Sequence, residues 1–191
     1  MITALALTPL ADLFHSALPF QAYENEAVVV VTSGKHPTHG VDNVGTFPAA
    51  LATSHALSHP IHKFHLLVNA GTCGGFKAKG CEIGTVCVPE SGGFHDRRIV
   101  IPNTPFEAYG LGLTPTTSTS ATLARSALSA VGGHCTTSDS LDHNSTDDDL
   151  MAKAGSVVKD MEFAAICGTA GFYGVDVVGV KVVTDIVDGD R

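Results

Sequence analysis

Residues Lys159–Arg191, KDMEFAAICGTAGFYGVDVVGVKVVTDIVDGDR, read as the end of one strand, a helix and a second strand. The helix, predicted over Glu162 to Tyr173, is apolar nearly all round and rich in small residues (Ala164, Ala165, Gly168, Ala170), so it belongs in the interior, packed closely on a sheet. The valine-rich run Asp176 to Val183 has the length and composition of a fully buried strand, as Ser156 to Lys159 does on the other side. The stretch also carries two acidic clusters, Asp160 and Glu162 around Met161, and Asp185, Asp188 and Asp190 after the valines.

Further strands are predicted over Ala27 to Val31, Phe64 to Ala70, Thr85 to Pro89 and His134 to Ser138. Helices are predicted over Gly45 to Leu57, with Pro48 in the first turn where its missing N–H costs nothing, and over Thr119 to Val131. A short helix is expected around Leu10, Leu13, Phe14 and Leu18. The order Ser145-Thr146-Asp147-Asp148 fits a helix cap with an acidic first turn. The alternation gives an α/β chain with a largely parallel sheet, helices on both faces, in one domain over 1–191. Phe64 to Ala70 runs into Gly71-Thr72-Cys73-Gly74-Gly75, read as a turn at a strand's carboxyl end, where open α/β sheets bind ligands.

The net charge of −8 and pI near 5.6 disfavour nucleic acid or an anionic membrane as partner and favour a small polar ligand or another protein. Five cysteines without a CxxC pair form neither a disulfide framework nor a zinc site, which points to a reducing compartment. No basic leader or membrane-length apolar run is present, so a cytoplasmic location is expected.

Glu162 lies at a helix mouth, where dipole and free N–H groups favour an anion. Asp185 follows the valines, so burial is expected to favour its neutral form and suit it to donating a proton near neutral pH. Each could equally be a cap. Lys181, Val183 and Asp185 share one strand face by alternation, with Lys181 about 13 Å from Asp185, too far to pair with it. The sequence names no partner for that lysine.

The segments NAGTCGGFKAKG (Asn69 to Gly80), FHDRRIVIP (Phe94 to Pro102), TSDSLD (Thr137 to Asp142), KDME (Lys159 to Glu162) and VKVVTDIVDGD (Val180 to Asp190) together resemble the plant-type 5′-methylthioadenosine nucleosidases of the nucleoside phosphorylase/nucleosidase family. The resemblance is collinear from about Gly40 to Arg191. It implies a nucleoside phosphorylase-like mixed sheet and hydrolysis of the N-glycosidic bond of 5′-methylthioadenosine, in some members S-adenosylhomocysteine, within methionine salvage. No metal or organic cofactor is implied, and the partners implied are an adenine nucleoside and a second copy in a homodimer. By the same resemblance Asp185 protonates the leaving adenine at N7, Glu162 binds ribose hydroxyls and Met161 packs on the sugar. Thr72, Cys73 and Gly74 line the ribose and the attacking water, and the backbone of Leu141 and Asp142 reads the adenine edge. His95 to Arg98 are left to structure or the dimer interface.

Some features depart from the family pattern. The family's water-activating glutamate falls at Ala6, and residues 1–11 hold no carboxylate. The first strand and the long final helix of the family are expected to be largely outside this stretch of chain. Phe163 replaces a small residue and Ser138 a glycine, and both are expected to crowd the pocket. A phosphorylase reading is disfavoured by the arginines, Arg97, Arg98, Arg125 and Arg191, none of which lies in the N-terminal half where phosphate forks are expected. A catalytically impaired member that binds adenine nucleosides is the other alternative.

Overall fold

A computed structural model describes residues 3–99, 101–116 and 118–189; Asp190 and Arg191 lie outside them. In chain order the elements are β1 (Thr8–Pro9), β2 (Gln21–Glu24), β3 (Val29–Thr32), α1 (Thr46–Leu57), β4 (Leu66–Gly75), a 3-10 turn (Lys77–Lys79), β5 (Val86–Cys87) and β6 (Ser91–Phe94). They continue with α2 (Phe106–Leu111), β7 (Thr114–Pro115), α3 (Thr119–Ala127), β8 (His134–Thr137), α4 (Ser145–Lys153), β9 (Ser156–Asp160), α5 (Phe163–Phe172) and β10 (Asp176–Ile186).

Seven strands form one mixed sheet in the order β5-β10-β4-β9-β8-β6-β7, and β1-β2-β3 make a separate antiparallel sheet. The large sheet has two halves. β10 runs parallel to β4 over ten register positions, and β9, β8 and β6 run parallel to one another. The halves meet only where β4 crosses to antiparallel β9, at Gly74–Lys159 and Gly75–Val158. That seam is where the site forms.

Helix α5 fills the angle between the halves, as its all-round apolar sequence requires. Phe163, Ile166, Cys167 and Ala170 join Cys73, Cys135, Val158, Val177 and Val183 in the main core. Phe163 is fully buried, and its ring occupies space left by two glycines: a Cβ on Gly179 would meet it at 2.8 Å and one on Gly92 at 3.1 Å. The bulk expected to crowd the pocket is taken up inside the core. Ser138 is likewise fully buried; its amide donates to the Asp160 carbonyl at 3.2 Å, continuing the β8–β9 ladder.

Three sequence expectations are corrected. No helix forms around Leu10 to Leu18; the nine residues between Pro9 and Pro19 are too few for a stable isolated helix. Leu13 and Phe14 are buried instead with Phe20 and Ala22 beside the small sheet. β3 is not a buried strand of the parallel sheet but is half exposed and pairs antiparallel to β2, since a β-branched run signals extended chain without naming its sheet. Gly71–Gly75 is not a turn but the second half of β4. Its glycines answer close packing: a Cβ on Gly75 would meet Val183 Cγ1 at 2.8 Å and Cys81 Cβ at 2.9 Å.

The expectation of helices on both faces of the sheet holds. α5 covers the face of β10 carrying Val177 and Val183, and α3 covers the other near Val178 and Val180. On that second face Val68 of β4, level with Val178, and Val182 of β10 stay 55% and 38% exposed. No helix among the described residues is long and apolar enough to cross a membrane.

Candidate active site

The sheet register brings the two sequence clusters to one place. Gly74 is paired on one side with Asp185 of β10 and on the other with Lys159 of β9, the residue before Asp160, Met161 and Glu162. Adjacent strands are about 4.8 Å apart, so the two clusters flank a single strand end.

Asp160 closes the floor. It is 5% exposed and its carboxylate is saturated: Oδ1 accepts from Thr137 Oγ1 at 2.6 Å, and Oδ2 accepts from the Phe163 amide at 2.9 Å and Lys181 Nζ at 2.7 Å. Thr137 Oγ1 in turn accepts from the Ala164 amide at 3.0 Å. The first turn of α5 is thus capped by residues of β8 and β9 rather than by Glu162. The partner missing for Lys181 is Asp160, reached across β4 past Gly71, where even a Cβ would be in ordinary contact with Nζ at 3.7 Å. Burial works against the charged ammonium, but the adjacent Asp160 outweighs it and holds Lys181 above the ordinary lysine value. Burial is also the main reason the Cys73 thiol is pushed up to about 12, which keeps it protonated and inert.

Freed from capping its own helix, Glu162 is half-buried and its Oε1 accepts from the Gly45 amide, 2.9 Å away at the start of α1. Asp185 departs from expectation. The β10–β4 register shifts between Val183 and Asp185; Thr184 is the extra residue of a bulge. Lys181 and Val183 face the core, whereas Thr184 and Asp185 are both exposed. Asp185 therefore does not share their face, and the burial on which its sequence argument rested is absent. Its Oδ1 accepts from Thr184 Oγ1 at 3.1 Å, and its Oδ2 lies 2.9 Å from where a Gly74 Cβ would be. Only glycine at position 74 lets the carboxylate lie against β4.

Of the other expected site residues, Gly74 is buried beside Asp185, the exposed Thr72 shares that face of β4 by alternation, Cys73 is buried on the opposite face, and Met161 is half-buried at the β9–α5 corner. Leu141 (84% exposed) and Asp142 project from the loop after β8 into solvent. Asp188 is a capping residue: partial desolvation acts against its charge, but the Ala78 and Lys77 amides, at 2.9 and 2.6 Å, hold its carboxyl below the usual range. The α4 cap is Asn144, one residue ahead of the predicted serine, with Asp147 and Asp148 in the first turn; Asp147 is ion-paired with Arg98.

Sequence reasoning passed over Asp139. Its Oδ1 accepts from the Thr46 amide at 2.6 Å and its Oδ2 from the Thr46 hydroxyl at 2.5 Å. Nothing local signals this role, because the two positions are 93 residues apart.

An open mixed α/β sheet with carboxylates gathered around a glycine-lined strand end is the kind of place where α/β proteins bind small polar ligands. The sequence pattern of the phosphorylase superfamily matches residues 15–191, and the chain belongs to that superfamily. It is 43% identical over 162 residues to a 5′-methylthioadenosine nucleosidase of Arabidopsis thaliana, covering 85% of this chain and 58% of that protein. It is 40% identical over 169 residues to a 5′-methylthioadenosine/S-adenosylhomocysteine nucleosidase of the same plant, covering 88% and 64%. The chain thus spans less than two thirds of the length of either relative. The apo structure of Arabidopsis thaliana 5′-methylthioadenosine nucleosidase superposes with a TM-score of 0.90 at 37% identity, over all of this chain and 78% of that one.

Proposed function

We propose that the protein hydrolyses the N-glycosidic bond of 5′-methylthioadenosine to adenine and methylthioribose in the cytoplasm, as a homodimer serving methionine salvage, with S-adenosylhomocysteine as a second substrate. The observation that carries this reading is the placement of Asp185 and of the Lys159–Glu162 corner on the two sides of Gly74. Asp185 protonates adenine N7 as the bond from N9 to the ribose C1′ breaks, and water adds to C1′. Asp185 is exposed at the strand end, within reach of a base placed over Gly74. Glu162 accepts hydrogen bonds from ribose hydroxyls, and Met161 packs on the sugar. Thr72, Cys73 and Gly74 line the ribose side, and the backbone of Leu141 and Asp142 reads the adenine edge. Lys181 and Asp160 hold the floor rigid beneath them.

The test is release of adenine from 5′-methylthioadenosine with and without phosphate. Release independent of phosphate is expected; a strict phosphate requirement would instead identify a phosphorylase. One observation favours a second reading, an adenine-nucleoside binder with impaired hydrolysis. Ala6 stands where the resemblance puts the water-activating glutamate, and it lies in a turn with φ 50° rather than in a strand. Loss of a general base costs about 10² to 10⁴ in rate. Ala6→Glu that accelerates release favours this second reading, and turnover of about 1 s⁻¹ or more by the unaltered chain excludes it.

A further inference from the structure

We propose that Asp139 is a positioning residue for Glu162, acting through the first turn of α1; the proposal rests on the reading of Glu162 as the ribose-binding carboxylate. The hydrogen bond that orients Glu162 comes from a main-chain amide, that of Gly45. An amide points where its peptide plane points, and Gly45 is fixed at φ 102°, ψ 177°, a conformation that L side chains rarely adopt. It is held there by the next residue, whose amide and hydroxyl both donate to the Asp139 carboxylate. Asp139 is itself anchored, its amide donating to Asp96 Oδ2 at 3.0 Å. A relay thus runs from Asp96 through Asp139 and Thr46 to Gly45 and Glu162, joining the segment after β6, the loop after β8, α1 and α5.

The construction differs from an ordinary helix cap. The residue at the cap position is a glycine, which has no side chain with which to cap. A Cβ at position 45 would collide with Asp139 Oδ1, so glycine, the distant aspartate and the strained backbone fit one another. The product of the arrangement is a Gly45 N–H aimed out of the helix at Glu162. A cap that served only the stability of α1 would need neither the glycine nor a partner 93 residues away. Without the Asp139 carboxylate the first turn is free to rotate, and Glu162 loses its fixed donor. Affinity for a ligand that touches Glu162 then falls, and affinity for one that does not is unchanged.

The experiment is titration calorimetry of the full chain with 5′-methylthioadenosine and with adenine, which lacks the ribose. It is run on the unaltered protein, Asp139→Ala, Asp139→Asn, Glu162→Ala and the Asp139→Ala/Glu162→Ala double variant. A hydrogen bond to a charged group corresponds to about tenfold in affinity. Asp139→Ala is therefore expected to weaken 5′-methylthioadenosine about tenfold and adenine less than about twofold. Asp139→Asn keeps an acceptor for the Thr46 amide and is expected to lose less, about threefold. In the Glu162→Ala background, which removes the acceptor for the Gly45 amide, Asp139→Ala is expected to have no further effect on the nucleoside.

Equal losses for the two ligands, or a loss undiminished in the Glu162→Ala background, would overturn the proposal and leave the functional reading standing. Failure of the unaltered chain to bind the nucleoside would overturn both. Should Asp139→Ala show no cooperative melting, Asp139→Asn and Thr46→Val, which removes the hydroxyl donor alone, carry the same comparison.

Discussion

Asp160 and Asp185 sit on either side of one strand, β4, and their surroundings are opposite. Asp160 is buried, accepts three hydrogen bonds and carries an ion pair with Lys181. Asp185 is exposed and accepts one, from the neighbouring Thr184. Each ends a strand of apolar, β-branched residues, so composition alone assigns both to the interior. One inserted residue separates them: the bulge at Thr184 swings Asp185 out of the layer that Lys181 and Val183 occupy. The buried carboxylate is thereby committed to holding α5, β9 and β10 together, and the exposed one is left free to meet a ligand.

The largest effect that would test this contrast is expected at the ion pair. Lys181→Met leaves Asp160 charged and buried without its counter-ion, and breaking a buried pair in this way costs about 3–5 kcal/mol. Urea denaturation measures it; a loss below about 1 kcal/mol would mean that the two aspartates are equivalent after all. The pair also sets an alkaline limit. Because the folded state holds Lys181 above the ordinary lysine value, its contribution is complete below the unfolded-state value and is lost as pH rises through the folded one. The melting temperature of the unaltered chain should therefore fall more steeply in strong alkali than that of Lys181→Met.

A smaller effect is expected at the packing that lets β4 pass between its neighbours. Gly75→Ala drives a methyl group against Val183 and Cys81 and should cost about 1–3 kcal/mol. On the acid side, burial lowers the values of His95 and His134. Both imidazoles are neutral in the folded state where the unfolded chain would protonate them, so stability is present above about pH 6.5 and lost as pH falls through the lowered values. Melting curves from pH 7 to 5 check this decline. The smallest change is expected for Asp185→Asn, whose stability should stay within about 0.5 kcal/mol of the unaltered chain.

Much of this was legible in the chain. The buried helix α5, the strands around it and the valine run of β10 follow from periodicity and composition, and the collinear motifs placed the chain in its superfamily. What escaped depended on register and on long-range partners. The bulge at Thr184 leaves no local mark, so Asp185 read as buried. Glycines 71–75 read as a turn because tight packing and turn formation demand the same residue. The Lys181–Asp160 pair and the Asp139–Thr46 contact join positions 21 and 93 residues apart, and only the folded sheet brings them together. Phe163 read as an obstruction because its complement, Gly92 and Gly179, lies on two other strands.

The division of labour between the aspartates is tested most directly by single-turnover release of adenine from 5′-methylthioadenosine by Asp185→Asn, beside its melting curve. The expected result is an unchanged melt with release slowed about 10² to 10⁴ fold. Release at the rate of the unaltered chain by a fully folded Asp185→Asn would contradict the account.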